Sequence, residues 1–314
     1  MNKQQNSEGD ILVHGTAADG TVRCMAAVTT NLVAEAARRH QTSPTVTAAL
    51  GRTLTGTLLL GSSLKEFDRL TVQIKGDGPI GGITAEANAR GQVRGYVRNP
   101  DAHVALNDQT GKFDVRNIVG NGMFYVTRES GFDLGLHRDP YRGSVPIISG
   151  EIAEDFAYYL TKSEQIPSAV MLGVLLRANA EGDAFVAAAG GLMIQIMPGA
   201  DEKTVASIES SVSRTPQTTK MIGEGARPVD LLRTALGPIE FEILDELPVS
   251  FACPCSYERA VSLISSIDRR ELEAMLREDR GAIMTCHFCN ESYRMDEAEL
   301  AGIIQSGDRS GALK

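Results

Sequence analysis

Four of the five cysteines lie in a short stretch near the C-terminus, as Cys253-Pro254-Cys255 and Cys286-His287-Phe288-Cys289. A C-x-C followed by a C-x-x-C, separated by a helix-length insert, supplies four thiolates, the ligand set of a closed tetrahedral zinc site. A disulfide framework is the rival reading, and it requires an oxidising compartment. Residues 1–10 are polar and have no apolar core, so no signal peptide is expected. No run of eighteen apolar residues suggests a membrane span. The spacing therefore predicts one Zn2+ held by Cys253, Cys255, Cys286 and Cys289. His287, between two ligand positions, is expected at the exposed tip of its turn.

Zinc-bound thiolates are deprotonated but screened, and a strong oxidant can still reach them. Peroxide converts a thiolate to a sulfenic acid, which a second cysteine condenses to a disulfide. Each of the four has a candidate resolving partner two or three positions away. Oxidation would strip ligands from the metal and withdraw the free energy with which it folds its surroundings. Spacing alone favours the other reading, an inert structural metal.

The surroundings narrow the choice of partner. A chain of 314 residues exceeds one ordinary core, so two or three units are expected. The net charge of −9 argues against a surface built for phosphate. The cysteine-bearing segment from Phe251 to Lys314 is itself acidic, with eight Lys/Arg against eleven Asp/Glu. Nucleic-acid contact, the common role of small zinc modules, is disfavoured there. No internal repeat is visible.

The elements that must position these cysteines read as α+β, because strands and helices come in separate groups. A strand is expected at Thr21–Thr29, with Cys24 as a small buried hydrophobe. A helix follows from Leu32 to His40 capped by Asn31, then one from Ser43-Pro44 to about Leu60. A β-meander covers Leu70–Ile74, Gly81–Ala87 and Val93–Val97, with further strands at Gly111–Val119 and Met123–Arg128. Glu151–Leu160 reads as an amphipathic helix, and Met171–Arg177 with Phe185–Met197 as a buried hairpin. Beyond Pro198 large apolar residues thin out: a helix capped by Asp201, a polar stretch, a short helix from Pro228, and a half-exposed strand around Phe241. This segment should be a weakly stable linker. In the cysteine-bearing segment, helices are expected at Tyr257–Ile267 and from Asp268. A hairpin from Ile283 to Met295 should wrap the C-x-x-C, with Asn290 at positive φ, and a last helix should start at Asp296. So few large side chains would make this module marginal without the metal. The expected organisation is a polar extension (1–10), an α+β core (11–197) with a β-meander sheet and packed helices, a helical linker (198–250) and a four-cysteine zinc domain (251–314).

Several patterns imitate chemistry. Gly76-Asp77-Gly78-Pro79-Ile80-Gly81 is a literal G-x-G-x-x-G, but a strand is expected after it where a dinucleotide site needs a helix. His137-Arg138-Asp139 matches H-R-D without the other kinase motifs. No nucleotide site is expected. Glu151, Glu154 and Asp155 are read as first-turn carboxylates that complement a helix dipole, not as an acid/base pair.

The two cysteine pairs also resemble those of the 33 kDa chaperonin family of redox-regulated heat-shock chaperones. The resemblance extends to Ile74-Lys-Gly-Asp-Gly-Pro79, Val93-Arg-Gly-Tyr-Val97, Gly150-Glu-Ile-Ala-Glu-Asp-Phe156, Ser163-Glu-Gln165, and Gly190-Gly191 followed by Met197-Pro-Gly-Ala200, in that family's order. It implies an ATP-independent holdase of the bacterial cytoplasm, without catalytic turnover and with no nucleotide, nucleic-acid or membrane partner. The reduced, zinc-bound form would be inactive. Oxidation would form Cys253–Cys255 and Cys286–Cys289 disulfides, release zinc and unfold the linker, and the protein would bind unfolding clients as a homodimer. Pro254 stiffens the first pair. Two other classes are a zinc-ribbon protein of nucleic acid or translation, and a thiol–disulfide oxidoreductase using Cys286 and Cys289. The acidic segment disfavours the first, and the lack of βαβ context disfavours the second.

Overall fold

The computed structural model describes residues 9–66, 68–107, 111–131, 134 and 139–311. The chain divides into two units, Met1–Ala252 and Cys253–Lys314.

The first unit is built around α2 (Pro44–Gly61), of which sixteen of eighteen residues are buried. A helix apolar all round must be enclosed on every side. Ser43 caps it, accepting from the Val46 N–H, and Pro44 occupies the first turn. Its buried threonines need internal partners: Thr53, Thr55 and Thr57 donate to the carbonyls of Ala49, Gly51 and Thr53 one turn back. Gly56 lets the Phe156 ring lie where a Cβ would sit, only 2.5 Å from the nearest ring atom.

Two sheets flank this core. One is a meander of β3 (Arg69–Gly76), β4 (Ile83–Asn88) and β5 (Gln92–Val97), extended by β6 (Gly122–Glu129), β7 (Tyr141–Pro146) and the two-residue β11 (Ser250–Phe251), in the order β11-β5-β4-β3-β6-β7. The other has the order β10-β1-β2-β9-β8, from β1 (Ile11–Ala17), β2 (Val22–Val28), β8 (Ser168–Ala178), β9 (Ala184–Ile196) and β10 (Phe241–Pro248). The alternating residues Leu70, Val72, Ile74, Ala85 and Val126 point into the α2 core. The α+β class and the meander are as read from the sequence.

Two local expectations are corrected. The helix α1 (Thr30–His40) is not capped by Asn31. The carboxylate of Asp10 accepts from the N–H groups of Asn31 (3.1 Å) and Leu32 (2.6 Å), 21 and 22 residues further along the chain. Asp10 is consequently buried and not part of a solvated extension; residues 1–8 lie outside the described residues. Burial pushes its carboxyl above the usual range, against the pull of the N–H groups of Leu32, Asn31 and Thr30. Second, the expected strand at Gly111–Val119 is a short helix, α3 (Val115–Val119). Val115, Ile118 and Val119 recur at helical spacing and Asp114 accepts from the Asn117 N–H at 3.0 Å, which outweighs β-branched propensity. Residues 198–250 pack against the outer face of the second sheet. Val13, Cys24, Ala26, Leu192 and Ile194 meet Ile208 of α5 (Glu202–Arg214) and Leu231, Leu232, Ala235 and Leu236 of α7 (Pro228–Leu236). Between them, α6 (Thr218–Gly223) buries only Thr218. The strand β10 pairs with β1 over its whole length, with a bulge at His14/Gly15.

The second unit comprises α8 (Tyr257–Ile264), α9 (Arg269–Glu278), the hairpin β12 (Ala282–Thr285) and β13 (Ser292–Met295), and α10 (Glu297–Gly311). The helix α8 stops three residues short of the expected Ile267, because Ser265 and Ser266 turn their hydroxyls back onto the Val261 and Leu263 carbonyls. Asp296 and Glu299 form a reciprocal capping box, each accepting from the other's N–H at 2.9 Å. The core consists of Ala260, Ile264, Leu272, Ala282, Met295 and Leu300. Among the described residues, six buried side chains, two of them alanine, are a small core for some sixty residues.

Candidate metal centre

The second unit brings both cysteine pairs together. Cys253 and Cys255 lie on the extended chain entering α8. There the Pro254 carbonyl accepts from Arg259 Nη1 at 2.7 Å, and Ser256 caps the helix. Cys286 and Cys289 occupy the turn of the β12–β13 hairpin. The Cys286 N–H donates to the Glu291 carbonyl (2.9 Å) and the Asn290 N–H to the Cys286 carbonyl (2.7 Å). This folding-back places Asn290 at φ 58°, the left-handed conformation expected of it. His287 is exposed at the tip, also as expected.

The four Sγ atoms all lie within 4.8 Å of one another. The two contacts between segments are Cys255–Cys289 at 3.2 Å and Cys253–Cys286 at 3.7 Å. A tetrahedral shell with metal–sulfur bonds of ~2.3 Å has sulfur–sulfur edges of ~3.8 Å, so this donor set fits one four-coordinate ion. None of the cysteines is in a disulfide. Backbone N–H groups of Phe288 and Cys289 point at Cys286 Sγ, and that of Glu291 at Cys289 Sγ, prepared to stabilise thiolates. Burial pushes the thiols of Cys286 and Cys289 above their usual range, with Cys289 displaced further. A dication among the sulfurs reverses that balance, because its charge stabilises every thiolate around it.

Sequence reasoning missed Tyr293. From β13 its hydroxyl donates to Cys255 Sγ at 3.1 Å, bridging the two cysteine segments. Its only signal in the sequence was its place four residues beyond Cys289 in the hairpin.

The other candidates lie elsewhere. Cys24 is fully buried in the outer core, where desolvation pushes its thiol up to about 12, as suits a small hydrophobe. The glycine-rich stretch connects two strands and is not followed by a helix. Asp77 caps the Asn121 N–H, and a Cβ on Gly76 would strike the Val119 carbonyl. Glu151 pairs with Arg52 at 2.6 Å. Asp155 does more than complement a dipole: it accepts from the N–H groups of Ile148, Ser149 and Ile152 and clamps the entry to α4 (Ala153–Lys162). Of the H-R-D tripeptide, His137 and Arg138 lie outside the described residues. Among the described residues, no helix is long and apolar enough to cross a membrane.

Comparison with known proteins agrees over nearly the whole chain. The family model described as "Hsp33 protein" matches residues 10–296. The 33 kDa chaperonin of Bacillus subtilis is 48% identical over 295 residues, covering 94% of this chain and 98% of the relative. That of Staphylococcus carnosus is 46% identical over 297 residues, with the same coverage. The crystal structure of the 33 kDa chaperonin (heat shock protein 33 homolog) from Thermotoga maritima superposes with a TM-score of 0.87 at 34% identity, covering 96% of this chain and all of that one. A shared fold, four sulfurs that converge, and nearly half the residues identical to relatives matched over almost their whole length lead to one conclusion: the chain belongs to the Hsp33 family.

Proposed function

We propose that the protein is a redox-regulated, ATP-independent holdase of the bacterial cytoplasm, which captures unfolding proteins and carries out no catalytic turnover. The observation that carries this reading is the convergence of four cysteine sulfurs within 4.8 Å inside a unit whose apolar core, among the described residues, has six buried members. A structural Zn2+ there would contribute folding free energy that the apolar core does not. In the reduced state Cys253, Cys255, Cys286 and Cys289 hold the ion and the protein is inactive.

Oxidation acts on these thiolates. For each disulfide, two thiolates and two protons reduce one peroxide to two waters. Cys253–Cys255 and Cys286–Cys289 are the products, as the family resemblance implies. Pairs two and three residues apart close the smallest loops once the unit loosens. Each disulfide removes two of four ligands, so the remaining sulfurs no longer complete the shell and zinc is released. Residues 198–250 then unfold. Their thin core supports this step: α6 buries one threonine, and Leu244 of β10 is 56% exposed. The apolar surface released binds clients, with the protein acting as a homodimer.

The test compares reduced, zinc-loaded protein with peroxide-oxidised protein in suppressing light scattering by a chemically unfolded client. Suppression by the oxidised form alone supports the reading, and equal behaviour of both forms ends it. Turnover of a small disulfide would instead favour an oxidoreductase, and salt-sensitive RNA binding a zinc ribbon.

A further inference from the structure

Four residues, Val249 to Ala252, separate β10 from Cys253, and they carry the chain from one sheet to the other. The strand β10 pairs with β1 in the second sheet, whereas β11 pairs parallel with β5 in the first, Phe251 opposite Val93. Leu247, Val249 and Phe251 alternate along this passage and all pack on the α2 core. Three N–H groups fix the backbone: Val249 donates to the Asp10 carbonyl at 2.9 Å, and Ser250 and Ala252 donate to those of Gly91 and Val93 at 3.1 Å. Gly91 has φ 73°, and a Cβ there would strike the Pro248 carbonyl, so the seat admits this chain only with glycine beside it. The Arg39 guanidinium of α1 lies over the Phe251 ring, 5.5 Å from its centre, and bonds to Glu35 at 2.7 Å. Asp10 joins these parts, since its side chain caps α1 while its carbonyl holds Val249.

This seat is specific but short. Two residues of parallel pairing at a sheet edge open readily unless the chain is ordered on both sides of them. On one side lies β10, with five of its eight residues exposed. On the other lies Cys253, where the second unit begins, ordered by the ion that the four sulfurs would hold. We propose that β11 is the coupler of the switch: Phe251, seated under Arg39, holds the end of β10 while zinc is bound, and leaves β5 when the metal shell opens. Loss of zinc then reaches the linker through β10 first. The helices α5 and α7 follow later, because Ile208, Leu231, Leu232 and Leu236 bury them against the second sheet independently of β11. Coupling of this kind is reciprocal, so a seated β11 also strengthens the hold on zinc. The inference rests on the reading that zinc loss frees residues 198–250, and assigns the residues that transmit it.

Amide hydrogen exchange on the reduced full-length protein, zinc-loaded and after chelation, would compare wild type, Phe251→Ala, Arg39→Gln and Arg38→Gln. In wild type, chelation should release the amides of residues 241–252 before those of α5 and α7. With zinc still bound, those amides should exchange about tenfold faster in Phe251→Ala and about threefold faster in Arg39→Gln, as losing a packed ring and a cation–π contact implies. Both variants should also give up zinc to a chromogenic chelator about fivefold more readily, although neither residue is a ligand. Arg38→Gln, which removes a cation paired with the same Glu35, should match wild type. The amides of β3 and β4 should be unaltered in every variant, and their loss would show general unfolding and overturn a local coupler. Wild-type protection of residues 241–252 in both zinc-loaded variants, or unchanged zinc retention, would also overturn it. A wild type whose residues 241–252 stay protected after chelation would overturn the proposed switch itself. Failure of the coupler alone is thus separable from failure of that reading, and no client enters the measurement.

Discussion

The Tyr293 hydroxyl lies 3.1 Å from Cys255 Sγ and donates its proton to it, tying the hairpin that carries Cys286 and Cys289 to the segment that carries the other two sulfurs. Groups just outside a metal's ligands orient them, and losing one typically costs 10–100-fold in affinity. Tyr293→Phe should therefore retain zinc but lose it about tenfold more readily in competition with a chromogenic chelator. It should release zinc faster under peroxide. Unchanged competition would show that the hydroxyl does not support the site.

Removing a ligand is more severe. Cys286→Ser leaves three sulfurs, and the six-residue core should not hold the second unit folded without its ion. Limited proteolysis under reducing conditions should cut within residues 253–305 of the variant and leave wild type intact there. Equal protection would mean that the metal is not what folds this unit. Chelation of the wild type should reproduce the variant's pattern.

The Asp10 carboxylate is a cap supplied from 21 residues away. Asp10→Ala removes the acceptor of two helix-terminal N–H groups and should cost about 1–2 kcal/mol, read as a lower denaturation midpoint with an unchanged slope. Asp10→Asn keeps an acceptor and should cost less. A midpoint for Asp10→Ala equal to wild type would refute the capping role.

His14 gives the first unit a pH dependence. Burial first, and the charge of Arg23 second, lower its pKa, with Asp245 opposing. Its Nε2 is buried without a partner. A histidine whose folded pKa lies below its unfolded value binds more protons when unfolded. Its contribution is thus fully present above the ordinary value of about 6.5 and is lost as pH falls from there through the folded pKa. His14→Gln should flatten the fall in thermal midpoint below pH 6.5, and an unaltered profile would assign that fall to other groups.

What could be read from the sequence was whatever is encoded locally. Ser43-Pro44 announced α2, Asn290 announced the left-handed turn of the C-x-x-C, and the alternation of Leu70, Val72 and Ile74 announced a strand. What could not be read was carried by contacts between distant residues. Asp10 looks like a solvated acid until α1 is seen to end against it, and Tyr293 looks like an ordinary hairpin residue until Cys255 is placed beside it. The strand expected at Gly111–Val119 failed for another reason: the helical recurrence of Val115, Ile118 and Val119 spans little more than one turn, too short for its period to stand out in the sequence. The linker looked thin because its own apolar residues are few; the sheet residues Val13, Leu192 and Ile194 supply the rest of its core.

The central claim is that oxidation of the four cysteines, loss of zinc and the gain of client holding are one event. A single peroxide time course should follow free thiols, released zinc and suppression of client light scattering in the same sample. The account predicts that four thiols disappear for each zinc released, that suppression rises with zinc release, and that dithiothreitol with added zinc reverses all three. Full suppression while zinc is still bound, or complete zinc release without suppression, would contradict it.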